Sequence, residues 1–115
     1  MDHDEVPPVI RSLFEAMNVH DADAAAAVVD PNIEILVGPH VVTGVEAIRE
    51  FALQDDPALR VVNTVSSCEE RDGKLQVNVH RVTHWRESGE LSSEEDLIMS
   101  FTLNPDGRIG WARIA

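Results

Sequence analysis

The stretch Lys74–Arg86 reads KLQVNVHRVTHWR, and Leu91–Asn104 reads LSSEEDLIMSFTLN. In an extended strand, alternate side chains share a face. The odd positions of the first run are Leu75, Val77, Val79, Arg81, Thr83 and Trp85, against Gln76, Asn78, His80, Val82, His84 and Arg86. The odd set is the more apolar and is expected to face the core. In the second run the apolar set is again odd, Leu97, Met99, Phe101 and Leu103, with Glu95 in phase. A three-residue loop, Glu87-Ser88-Gly89, with glycine in the left-handed position, pairs Arg86 with Glu90. That register sets Val79 against Leu97 and Arg81 against Glu95. A two-residue loop would set odd residues against even ones.

Two further strands flank this hairpin. Leu59 to Glu70 precedes it across Asp72-Gly73, and Arg108 to Ile114 follows it across Pro105-Asp106-Gly107, both good turn chemistry. Three turns in succession predict an antiparallel meander of four strands. The first half reads helical. Val9, Ile10, Leu13, Phe14 and Met17 make one apolar face, Pro7 and Pro8 suit its first turn, and the helix is expected to stop near Asn18. Asp21 caps a second, alanine-rich helix through about Val29, which Asp30-Pro31-Asn32 ends. Ile33 to Val37 reads as a short strand, which Gly38-Pro39-His40 breaks. Thr43-Gly44-Val45-Glu46 has the capping-box arrangement, and a third helix follows to about Gln54, where Asp55-Asp56-Pro57 terminates it. Helices first and strands after predict an α+β fold rather than parallel βαβ units.

The chain has 115 residues, the size of one domain, and 43% of them are hydrophobic, enough for one core. Its formal charge of −12 repels phosphate backbones, so no nucleic acid partner is expected. No apolar run approaches the ~20 residues of a membrane span. Met1-Asp2-His3-Asp4-Glu5 lacks the basic and apolar segments of a secretory signal, and a cytoplasmic protein is expected. The last strand runs to Ala115, with no further segment expected over the sheet.

Several chemistries fail on spacing. His80 and His84 share a strand face about 13 Å apart, too far for one ion, and His80 is expected to meet Asp96 on the outer surface. His20 and His40 read as loop residues and His3 as part of a tail. Cys68, the only cysteine, has no histidine placed beside it and reads as a packing residue. The glycines are scattered singly, so there is no phosphate loop. No metal and no cofactor are expected.

Phe14-Glu15-Ala16-Met17-Asn18-Val19-His20-Asp21-Ala22-Asp23 resembles the first helix and turn of the nuclear transport factor 2-like superfamily. Thr43-Gly44-Val45-Glu46-Ala47-Ile48-Arg49-Glu50-Phe51 is similar to its G-x-x-A-I-x-x-F helix, and Phe101 to Ile109 looks like its closing hairpin. The resemblance covers nearly the whole chain, 1–115, as one domain. It implies a cone-shaped, curved antiparallel sheet wrapped around three N-terminal helices, a cystatin-like α+β roll. It also implies a pocket lined by Leu13, Met17, Val29, Val37, Phe51, Val61, Val79, Arg81, Thr83, Trp85, Leu97, Met99 and Ala112. Against the ketosteroid isomerase pattern the chain departs, with Leu13 in place of the first-helix tyrosine, Val37 in place of the general-base aspartate and Met99 in place of the oxyanion-hole aspartate. That reaction is not expected.

Two functions remain open at this level. One is a SnoaL-like pocket enzyme, an isomerase, cyclase or hydrolase acting on a small apolar or weakly acidic molecule. Arg81 would stabilise developing charge, Glu95 would orient it or move a proton, and His40 at the pocket mouth would assist. The Arg81–Glu95 pair reads equally as a charge bridge at the wetter end of the sheet. The other function is a non-catalytic binding or dimerisation domain. Val62, Val82, Ile98 and Trp111 on the outer face would then pack sheet to sheet in a homodimer.

Overall fold

The computed structural model describes residues 6–114; His3 and Ala115 lie outside them. Helix α1 (Pro8–Asn18) takes Pro8 into its first turn, where a missing N–H breaks no helical bond, and buries Ile10, Leu13, Phe14 and Ala16. It closes with His20 in the left-handed region at φ 58°. The His20 N–H donates to the Met17 carbonyl at 3.2 Å and the Asp21 N–H to the Ala16 carbonyl at 2.9 Å, a Schellman closure. Asp21 caps α2 (Ala22–Ala27), its carboxylate accepting from the Ala24 N–H at 3.0 Å.

Helix α2 stops at Ala27, short of the expected Val29, because strand β1 (Val29–Val37) begins there. The Ile109 N–H donates to the Val28 carbonyl at 3.0 Å and Val29 pairs with Ile109, so sheet pairing takes this segment from the helix. Pro31 falls in the irregular stretch between Val29 and Glu34, where it interrupts no ladder bond. Gly38-Pro39 is a two-residue turn rather than a break, with Gly38 at φ 59°. It leads into β2 (His40–Thr43), an edge strand absent from the sequence reading. Helix α3 (Val45–Leu53) has Gly44, not Thr43, at its cap, with no side-chain capping bond. Thr43 is still paired with Glu34, so the expected capping box does not form.

The four predicted strands are β3 (Leu59–Arg71), β4 (Lys74–Trp85), β5 (Leu91–Leu103) and β6 (Ile109–Ile114), an antiparallel meander. The six strands lie in the order β2-β1-β6-β5-β4-β3. Strands β1 and β6 run parallel, so the sheet is mixed rather than wholly antiparallel. The reason is topological: α3 carries the chain across the sheet to its far edge, and the meander returns to end beside β1. The sheet is curved and not closed, and the three helices pack against its concave face.

The hairpin register is as read, Val79 against Leu97 and Arg81 against Glu95. The loop that produces it is not. The Trp85 N–H donates to the Glu90 carbonyl at 2.9 Å and His84 faces Leu91, so the loop is one residue longer than expected. An extra residue between Leu91 and Ser93 then restores the phase. A second bulge, between Val65 and Ser67, turns Cys68 inward opposite Val77, where it is buried. Burial, with some help from Glu70, pushes its thiol pKa up, so Cys68 packs as an uncharged side chain. In the core Phe14 meets Phe101 edge-on, ring centres 6.1 Å apart at 83°. A Cβ at position 110 would stand 2.2 Å from Oδ1 of Asn104 and would displace that side chain, whose amide donates to Asp30 at 2.7 Å.

Candidate functional site

Between the helices and the concave face lies a cavity of about 390 Å³. Its walls come from α1 (Leu13, Phe14, Met17), α3 (Ile48, Phe51) and the sheet (Ile33, Val61, Met99, Phe101, Ala112, Ile114). The polar lining is Asn18, His20, Gln54, Asp55, Asp56, Asn63 and Arg81, none of them buried, and these mark the mouth.

Two bonded groups of side chains frame the mouth. Asn18 and Asn63 clasp each other: the Asn18 amide donates to the Asn63 carbonyl at 2.8 Å, and the Asn63 N–H donates back to Asn18 Oδ1 at 2.9 Å. This ties the end of α1 to β3. Arg81 Nε donates to Asn63 Oδ1 at 2.9 Å, and its Nη1 lies 3.4 Å from Glu95 Oε1. Among the described residues these are its side-chain bonds, so Nη2 remains for a ligand. On the helix side, the loop after α3 is stapled by Arg86. Its Nε donates to the Asp56 and Leu59 carbonyls at 3.1 and 3.0 Å, and its Nη2 pairs with Asp55. His20, just after α1, joins this side, donating from Nδ1 to the Ala52 carbonyl at 2.9 Å, with Nε2 3.5 Å from Asp55 Oδ1.

Of the residues named from sequence, Leu13, Met17, Phe51, Val61, Met99, Ala112 and Arg81 line the cavity. Val79, Thr83 and Leu97 face the concave side but are not part of the lining, and neither are Val29 and Val37 on β1. Trp85 is 46% exposed, beyond Arg81 toward the β4–β5 loop. Glu95 touches Arg81 from outside the lining, its side chain 51% exposed. His40 is not at the mouth: it stands exposed on β2, the opposite sheet edge from β3. The histidine at the cavity is His20, which sequence reasoning treated as a loop residue. Asn18, Gln54, Asp55 and Asp56 were likewise read only as helix terminators. Their signal is that two helices packing on one sheet end close together, so their terminal residues converge.

On the convex face His80 meets Asp96 at 2.8 Å and Glu94 at 2.9 Å. The Asp96 hydrogen bond, with the charges of both carboxylates, raises its pKa above the ordinary histidine value. Trp111 lies on the same face, with the Lys74 ammonium 4.5 Å over its ring. Among the described residues no group of three or more metal-ligating side chains converges, and no helix is long and apolar enough to cross a membrane.

No protein-family model matches the chain, and no curated protein matches it in sequence. Solved structures do match in shape. An NTF2-like protein of unknown function from Exiguobacterium sp. 255-15 superposes with a TM-score of 0.73 at 14% identity, covering 91% of this chain and 94% of the other. The fold is NTF2-like. A candidate polyketide cyclase from Sinorhizobium meliloti shares this NTF2-like architecture at a TM-score of 0.72 and 24% identity, covering 96% and 95% of the two chains. A Mycobacterium tuberculosis protein in complex with estradiol-17β-hemisuccinate aligns at a TM-score of 0.69 and 17% identity, covering 91% and 88%.

Proposed function

We propose that this NTF2-like domain binds a small, mainly apolar molecule bearing an oxygen-centred acid, with Arg81 as the anion-recognising group. The observation that carries the reading is the apolar cavity of about 390 Å³ with a guanidinium at its polar mouth. That volume lies in the range of small-molecule sites, which combine apolar walls with a few placed polar groups. The neighbour that holds estradiol-17β-hemisuccinate supports the same kind of ligand here. Asn63 holds Nε of Arg81, so the fork is pre-oriented before a ligand arrives. Glu95 holds Nη1 loosely; a half-exposed carboxylate outside the lining is poorly placed to move a proton of a bound ligand. Binding is therefore better supported than catalysis by Arg81 and Glu95.

Titration with 2-naphthoate tests the reading. Arg81→Met keeps the length and removes the charge. A charge-assisted bond contributes about 1.5–3 kcal/mol, so naphthoate affinity is expected to fall at least about tenfold. Binding of uncharged 2-methylnaphthalene should be unchanged. Equal affinity of both proteins for naphthoate would rule Arg81 out.

A second reading, a homodimer through the convex face, is favoured by Ile98, which is 58% exposed on the face that also carries Val82 and Trp111. Light scattering is expected to give the mass of two chains for the native protein and of one chain for Ile98→Asp. A native protein that stays monomeric at high concentration ends that reading.

A further inference from the structure

His20 occupies the position in the closure of α1 that glycine ordinarily takes, at φ 58°. A side chain kept in that backbone conformation at the mouth of a cavity points to a use beyond ending the helix. Its imidazole is also fixed. The Ala52 carbonyl can only accept, so Nδ1 carries the hydrogen of their 2.9 Å bond. In the neutral ring Nε2 is then the acceptor. It lies 3.5 Å from Asp55 Oδ1, so a proton arriving there gains the charge of that carboxylate as a neighbour. Asp55 is itself held by Arg86, so the arrangement is rigid before any ligand enters. The charged groups around the ring are Asp55, Asp56 and Arg86 on the loop side, with Arg81 and Glu95 across the mouth.

We propose that His20 is the proton acceptor of the cavity, and that the ligand carries a weakly acidic hydroxyl, a phenol or an enol, which ionises as it binds. The O–H bond breaks, its electron pair stays on oxygen, and the proton forms the Nε2–H bond. The imidazolium then lies between the Ala52 carbonyl and the Asp55 carboxylate, and the oxyanion faces Arg81. The proposal rests on the cavity being a ligand site, and it narrows the acid to a hydroxyl.

The probe is 7-hydroxycoumarin at about pH 7. Its phenol and phenolate differ in absorption, and calorimetry in two buffers of different ionisation enthalpy counts the protons exchanged. Native protein is expected to bind the phenolate with no proton released to buffer, because His20 takes it. His20→Asn, chosen because asparagine tolerates the left-handed backbone, should bind about tenfold more weakly and release about one proton for each phenolate bound. Asp55→Asn should shift the proton count in the same direction and gives an independent test should His20→Asn fail to fold. Coumarin bound as the phenol, or an equal proton release from native protein and both variants, overturns the proposal. If coumarin fails to bind where 2-naphthoate does, this proposal falls and the cavity reading stands. If neither binds, both fall.

Discussion

Replacing Phe101 with alanine is expected to destabilise the domain by about 3–5 kcal/mol. The ring is 1% exposed and meets Phe14 edge-on, so one truncation removes an aromatic contact between α1 and the sheet. The lost atoms also line the cavity, so the void they leave joins existing empty space and is not refilled by collapse. Domains of this size are stable by about 5–15 kcal/mol in total, so the variant should melt far below the native protein. Denaturant unfolding gives the number directly. A loss under about 1 kcal/mol would mean that α1 does not depend on this pair.

Ala112→Phe is expected to act in the opposite sense, on binding rather than folding. Ala112 lies on β6 between Ile35 and Phe101 in register, buried, with its methyl in the cavity wall. A larger side chain in a filled core costs about 1–3 kcal/mol of strain. Here it can grow into open volume, so stability should hold or rise. The bound 2-naphthoate would lose its place, and its affinity should fall about a hundredfold or more, roughly 2.7 kcal/mol. Thermal melts and titration together check this. Unaltered affinity would put the ligand somewhere other than this cavity.

The parts readable from sequence were those fixed by short-range chemistry. Asp72-Gly73 turns with both residues at positive φ, as that dipeptide prefers, and Asp21 caps α2. The phase of β4 and β5 followed from alternation, because one face must be buried. The loop between them was misjudged by one residue without disturbing the register, since the extra residue before Ser93 cancels the error. Local pattern cannot reveal such a compensation. Strand β2 was missed because four residues after Gly-Pro carry too little alternation. The parallel neighbours β1 and β6 depend on where α3 delivers the chain, a tertiary matter.

The same limit applies to the mouth. Arg81 could be found as the inward cation of an apolar face. His20 and Asp55 are 35 positions apart and come together only because α1 and α3 end side by side, with Arg86 folding back from a distant loop. His40 stands instead on an edge strand, a placement no local pattern discloses. Each isolated segment reads as a helix end, so their chemistry emerges only from packing.

Strand β6 alone joins the β2-β1 hairpin to β5, β4 and β3. During synthesis, β1 therefore gains its inner neighbour only once β6 has been made. Pairing β1 with β6 closes the longest loop between neighbouring strands of the sheet, the kind of contact that costs chain entropy and slows folding.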